Sequence, residues 1–121
     1  MHNTETNEIL LVCSRGLKWG PPKGGMETSD TTIFDCALRE LYEETGIDLS
    51  LYNYEIERRV RMGRATYFYI PIVRNPSISI KTCTDASGIG WVRLGCLKNI
   101  DLDLNSPCKK LLDILFDIRQ S

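Results

Sequence analysis

The sequence predicts an α/β (α+β) sandwich built around a mixed β-sheet, in one domain spanning residues 1–121. Three observations lead there. Short apolar runs of strand length, separated by turn residues, fill most of the chain. Two well-separated stretches instead repeat their apolar residues at helical spacing. A chain of 121 residues, 42% apolar and 26% charged, can also bury a core without disulfides or structural metals.

The elements follow in order. Met1 to Glu8 is polar and offers no strand pattern, so the sheet is expected to lack a strand before Ile9. Ile9 to Ser14 is an apolar run suited to a buried strand. Trp19 to Asp30, rich in Gly and Pro, is a loop. Thr32 to Thr45 is a helix: Thr32 caps it, and Asp35 suits the first turn as a near capping box. Phe34, Ala37, Leu38 and Leu41 form its buried stripe, and Gly46 ends it in a left-handed cap. Tyr54 to Met62 and Thr66 to Val73 are strands joined by a turn at Gly63, with Pro71 placing the second at an edge or bulge. Asn75-Pro76 breaks the chain, and Ser77 to Thr82 and Ile89 to Leu94 are further short strands. Ser106-Pro107 opens a final helix whose apolar face is Leu111, Leu112, Leu115 and Ile118.

Composition removes several function classes. The five cysteines (Cys13, Cys36, Cys83, Cys96 and Cys108) are odd in number and form no CxxC pair. They read as reduced thiols of a cytoplasmic protein, not as a zinc site or disulfide framework. The polar N-terminus carries no signal-peptide pattern, and no apolar run approaches the roughly 18 residues of a membrane span. A net charge of −1 argues against a protein that coats nucleic acid, and no DNA partner is expected. The only histidine, His2, falls in a terminus expected to be mobile, which leaves His-dependent catalysis almost nothing to draw on. Acid–base work then falls to carboxylates, Lys, Tyr or a metal-activated water.

The Thr32 helix supplies the carboxylates. Glu40, Glu43 and Glu44 stand at i, i+3 and i+4 and share one face, opposite the apolar stripe. Like charges so placed repel by only about 0.2–0.5 kcal/mol per pair, so a solvated acidic face with an Arg39–Glu43 pair is one reading. The other is a hard divalent cation, which takes oxygen ligands and often binds one or two carboxylates plus substrate phosphates. The loop before the helix, Pro21-Pro22-Lys23-Gly24-Gly25, favours the second reading. Its glycines let backbone approach a ligand closely, and Lys23 can screen phosphate charge.

On these residues the chain resembles the Nudix family, whose signature is G-x5-E-x7-R-E-U-x-E-E-x-G-U with U apolar. Arg39-Glu40-Leu41-Tyr42-Glu43-Glu44-Thr45-Gly46-Ile47 matches its second half throughout. The first half departs from it. Counted from Gly24, the acidic position falls on Asp30, but eight residues instead of seven then precede Arg39. Counted from Gly25, the spacing holds but Thr31 takes the acidic place. A one-residue insertion is expected, with Asp30 or Glu27 partly replacing the missing Glu.

The resemblance implies an α/β/α sandwich and hydrolysis of a phosphoanhydride in a nucleoside diphosphate linked to another group. It implies Mg²⁺ or Mn²⁺, more than one ion, held by Glu40, Glu43, Glu44 and the Gly24 carbonyl. Arg39 would hold a signature carboxylate. The general base would be Glu43 or Glu44, or Asp85 in Asp85-Ala86-Ser87-Gly88-Ile89-Gly90-Trp91, which is similar to the E-x-x-x-I-x-W stretch of some members.

The leaving group is less specified. Arg58, Arg59, Arg61 and Arg64 cluster around one strand and turn; alternation puts Arg59 and Arg61 on one face and Arg58 on the other. They form either a solvated hairpin or a channel for a polyanion such as RNA backbone or an inositol polyphosphate. Trp19 is either core or a base platform, and Lys23 a phosphate contact. The Trp19-Gly20-Pro21-Pro22-Lys23-Gly24 loop and the helix are similar to messenger-RNA decapping enzymes, with Pro21 where those carry Phe. The same segment is similar to small diphosphoinositol polyphosphate and diadenosine polyphosphate hydrolases. The partner expected is therefore a phosphoanhydride small molecule or capped RNA. A catalytically inactive nucleotide- or RNA-binding module is the alternative of another class.

Overall fold

A computed structural model describes residues 1–13, 18–79, 88–97 and 103–120, the last five in backbone alone. The predicted α+β sandwich is present. The elements run β1 (His2–Asn3), β2 (Glu8–Cys13), β3 (Trp19–Gly20), α1 (Ile33–Thr45), β4 (Arg58–Met62), β5 (Ala65–Tyr69), β6 (Pro71–Ile72), β7 (Gly88–Arg93), α2 (Leu94–Leu97) and α3 (Ser106–Gln120). A short 3₁₀ turn, Leu49–Leu51, follows α1.

The apolar run of β2 makes it the centre of the sheet. Along one edge it pairs antiparallel with β7, from Glu8 opposite Arg93 to Cys13 opposite Gly88. Along the other edge β1 and β3 pair with its two ends. Alternate residues of a strand face opposite sides, and both sides of β2 are covered. Ile9 and Leu11 pack with Leu94, Cys108 and Leu112 on the α3 side. Leu10 packs with Leu41, Ile47, Leu49 and Ile70 on the α1 side. Burial on both faces explains a continuous apolar run in place of strict alternation.

Helix α1 ends where its sequence says it must. The Thr32 side chain accepts from Asp35 N, and the Asp35 carboxylate accepts from Thr32 N, a complete capping box. Gly46, at φ 77°, donates its N–H to Tyr42 O. The β4–β5 hairpin turns at Gly63, at φ 60°, as expected.

Other expectations need correction. The first strand is present, though only two residues long: β1 lies between β2 and β6. His2 is not in a mobile tail. It is 1% exposed, its Nδ1 2.6 Å from the Tyr69 hydroxyl and its Nε2 2.8 Å from Asn7 Oδ1. Trp19–Gly20 is strand and not loop, because its backbone pairs with Val12 and Cys13. The strand predicted from Tyr54 begins at Arg58, because Tyr54 and Ile56 turn into the core beside α1. The strand predicted through Val73 divides in two. Pro71 has no N–H for the antiparallel ladder, so the chain leaves β4 and pairs parallel with β1, with His2 N donating to Ile70 O and Thr4 N to Ile72 O. Pro71 thus lies in an edge strand of the described sheet, as predicted. Ser77 to Ser79 is irregular, and residues 80–82 lie outside the described residues. The α3 cap is Asn105, whose Oδ1 accepts from Cys108 N, and Ser106 is already helical. The Ile118 side chain lies outside the described part. No helix among the described residues is long and apolar enough to cross a membrane.

Candidate functional site

The carboxylate face of α1, the Gly-rich loop and the tip of the β4–β5 hairpin enclose an open cleft of about 880 Å³. Lys23, Gly24, Glu40, Glu43 and Glu44 all line it, so the structure gathers most of the predicted site. A smaller cavity of about 90 Å³ lies between the hairpin, β2 and α3; it is apolar and contains none of these carboxylates, so the larger cleft is the candidate.

Arg39 organises the cleft. Its Nε and Nη2 grip the Asp30 carboxylate, at 3.1 Å to Oδ1 and 2.9 Å to Oδ2. Nη2 also donates to Gly25 O at 2.7 Å. Nη1 meets Glu40 at 2.9 Å, Glu43 at 3.2 Å and Glu27 at 3.3 Å. The expected replacement for the missing signature Glu is therefore visible. Asp30 takes the two-pronged contact with its carboxylate only 5% exposed, while Glu27 adds a single contact at 60% exposure. Asp30 also closes its own turn: Oδ2 accepts from Glu27 N and its N–H donates to Glu27 O. The turn from Glu27 to Asp30 thus brings the shorter carboxylate within reach of Arg39.

This arrangement shifts protonation. Hydrogen bonding to Arg39, then to the Glu27 backbone, holds Asp30 below the usual carboxylate range. The Asp30 hydrogen bond in turn pushes the Arg39 guanidinium up. Cys36, buried beneath the loop with its thiol 3.7 Å from Gly24 O, is pushed up chiefly by burial.

The donor set suits a hard divalent cation: three carboxylates and a backbone carbonyl, all oxygen. Gly24 has no side chain because the Glu40 carboxylate lies against its Cα; a Cβ there would overlap it. Among the described residues no group of three or more such side chains converges into a ready cage. The guanidinium of Arg39 sits between Glu40 and Glu43 as their present counter-charge.

Other predicted residues fall elsewhere. Trp19 packs on the α3-side core and over Gly88, and does not line the cleft. Arg59 and Arg61 share a hairpin face, exposed, with Arg59 lying 5.4 Å over the Phe68 ring. Arg58 faces the smaller cavity, and only Arg64 of the four arginines reaches the cleft. Asp85 lies outside the described residues. Cys36 and Tyr67 also line the cleft, and Thr66 and Asn105 line it without having been singled out. For Asn105 a signal existed, since Asn is a favoured N-cap.

Residues 1–105 match the family model for the NUDIX domain. The chain is 37% identical over 107 residues to "Putative hydrolase 111R" of Invertebrate iridescent virus 3, covering 88% of this chain and 62% of that protein. It is 35% identical over 80 residues to mRNA decapping complex subunit 2 of Schizosaccharomyces pombe, covering 63% of this chain and 11% of that one. The chain thus spans less than two thirds of either relative. Among solved structures, the NUDIX domain of Shewanella oneidensis NrtR, complexed with ADP ribose, superposes with a TM-score of 0.69 at 20% identity, covering 94% of this chain and 78% of that one. At that identity the likeness bears on the fold.

Proposed function

Because the chain belongs to the Nudix family, we propose that it is a metal-dependent pyrophosphohydrolase of nucleoside diphosphate-linked substrates, with the capped end of RNA as the favoured substrate. The observation that carries the reaction class is the intact Glu40, Glu43 and Glu44 face lining the cleft beside Gly24. Similarity to a decapping subunit and the Trp19–Gly24 loop support the substrate.

Glu40, Glu43, Glu44 and the Gly24 carbonyl would hold Mg²⁺ or Mn²⁺. Such ions, when bound, neutralise phosphate charge and help generate a nucleophile near neutral pH. The remaining work belongs to the chain's own groups. Arg39, anchored on Asp30 and Gly25 O, fixes the loop against the helix and holds Glu40 and Glu43 in place. Lys23 and Arg64 meet the diphosphate from the loop and hairpin sides. Arg59 and Arg61 contact a polyanion that extends beyond the cleft, and Trp19 acts by packing β3 in place. Glu43, Glu44 or Asp85 takes the proton from the attacking water, which adds to phosphorus as the anhydride oxygen leaves.

The test is a panel with Mg²⁺ or Mn²⁺: capped RNA, diadenosine polyphosphates, diphosphoinositol phosphates, ADP-ribose and nucleoside triphosphates. Release of 7-methyl-GDP from capped RNA supports the full reading. Turnover confined to inositol pyrophosphates or diadenosine polyphosphates reassigns the substrate. No turnover of any member, with nucleotide still bound, makes the chain a binding module. Glu43→Gln and Glu44→Gln should each lower turnover by about a hundredfold or more; near-normal rates in both would sink the mechanism.

A further inference from the structure

The amide of Asn105 meets different surroundings on its two sides. Its Oδ1 accepts from Cys108 N at 2.8 Å and caps α3. A backbone N–H needs an oxygen acceptor, so this bond fixes the amide's orientation and leaves Nδ2 on the other side. The residue is also held at both ends of its backbone, Asn105 N donating to Trp19 O at 2.9 Å and Asn105 O accepting from Lys109 N at 3.1 Å. Nδ2 lies over Gly20, where a Cβ would overlap it, so β3 makes room for the amide by lacking a side chain. Gly20 has no positive φ, which makes this space, not backbone freedom, the use of its glycine. Asn105 lines the cleft that the α1 carboxylates also line. Among the described residues Nδ2 has no protein hydrogen-bond partner.

The geometry points to Asn105 as a specificity residue whose Nδ2 donates to an acceptor oxygen of the substrate, a phosphate oxygen or a base keto oxygen. The inference rests on the hydrolase reading of the same cleft. A pre-oriented donor spends little conformational entropy on binding. A donor facing a substrate acceptor also discriminates strongly, because an analogue without the acceptor leaves it unpaired.

Asn105→Asp separates capping from donation. Asp caps a helix about as well as Asn, so the thermal midpoint should stay near that of the wild type. The second oxygen, however, turns a donor into a charged acceptor. Binding is measured by calorimetry with Mg²⁺ and three non-hydrolysable probes: methylenediphosphonate, α,β-methylene-ADP and α,β-methylene-GDP. Weakening of all three by about tenfold or more identifies a phosphate contact. Weakening of α,β-methylene-GDP alone identifies the keto oxygen, which adenine lacks. Gly20→Ala, which pushes the amide from its place, should give the same selective loss with Asn105 intact. Wild-type affinities for all three probes in Asn105→Asp would overturn the inference while leaving the hydrolase reading untouched. A wild-type protein that binds no probe and turns over no member of the substrate panel would remove both.

Discussion

At Arg39 one guanidinium answers Asp30, Gly25 O, Glu40, Glu43 and Glu27, and Asp30 is the anchor that orients it. An outer-shell partner of this kind typically matters 10–100-fold in metal affinity or activity. Asp30→Asn should therefore weaken Mn²⁺ binding by roughly 10–100-fold, read by titration without substrate; unchanged affinity would remove Asp30 from the site. The pH dependence has a defined sign. Asp30 has a depressed folded pKa, so its stabilisation is fully present above its unfolded value of about 3.9 and is lost as pH falls through the lower folded value. The melting-temperature difference between wild type and Asp30→Asn should stay constant from pH 7 to about 5 and shrink only in stronger acid. A difference that vanished near pH 6 would assign the effect to another group. Thiol chemistry divides just as clearly. Cys108 is buried and pushed up to about 11, whereas Cys96 is exposed. Mass spectrometry after brief alkylation at pH 8 should find Cys96 modified and Cys108 intact.

Helix α1 shows why element ends are easier to read than element partners. Its caps are chemistry between neighbours: Thr32 with Asp35, and Gly46 at φ 77°. Thr32→Ala should cost about 1 kcal/mol, and Gly46→Ala about 1 kcal/mol or more because a Cβ is disfavoured at positive φ; denaturant unfolding checks both. The same locality made the Glu40, Glu43 and Glu44 face legible, since helical spacing alone puts them together. It did not reveal that Asp30 would take Arg39 ahead of Glu27, because that depends on how the turn between them folds. Strands β1 and β6 are two residues each, too short for any periodicity, and only their pairing defines them. Asn105 reaches the cleft through β3, a contact between positions far apart in sequence. Trp19 had two readings because an aromatic after a strand carries no sign of which way it packs; the core claimed it.

On the scale of the whole molecule, β2 is the member that both layers share, with Leu10 facing α1 and Leu11 facing α3. Leu11 is 1% exposed, so Leu11→Ala should cost about 2–5 kcal/mol through the cavity it leaves. Leu51 is 76% exposed, and Leu51→Ala should fall within about 0.5 kcal/mol of wild type. Equal losses would contradict this placement of the core. The pairing of β2 with β7 has a consequence in time. Cys13 finds Gly88 roughly 75 positions later, and at about 5–20 residues per second a ribosome needs some 4–15 s to make that interval. For those seconds β2, which the folded protein buries on both faces, has been synthesised without its longest partner among the described strands. The nascent protein is then most open to capture by chaperones and to clumping with its neighbours on the polysome.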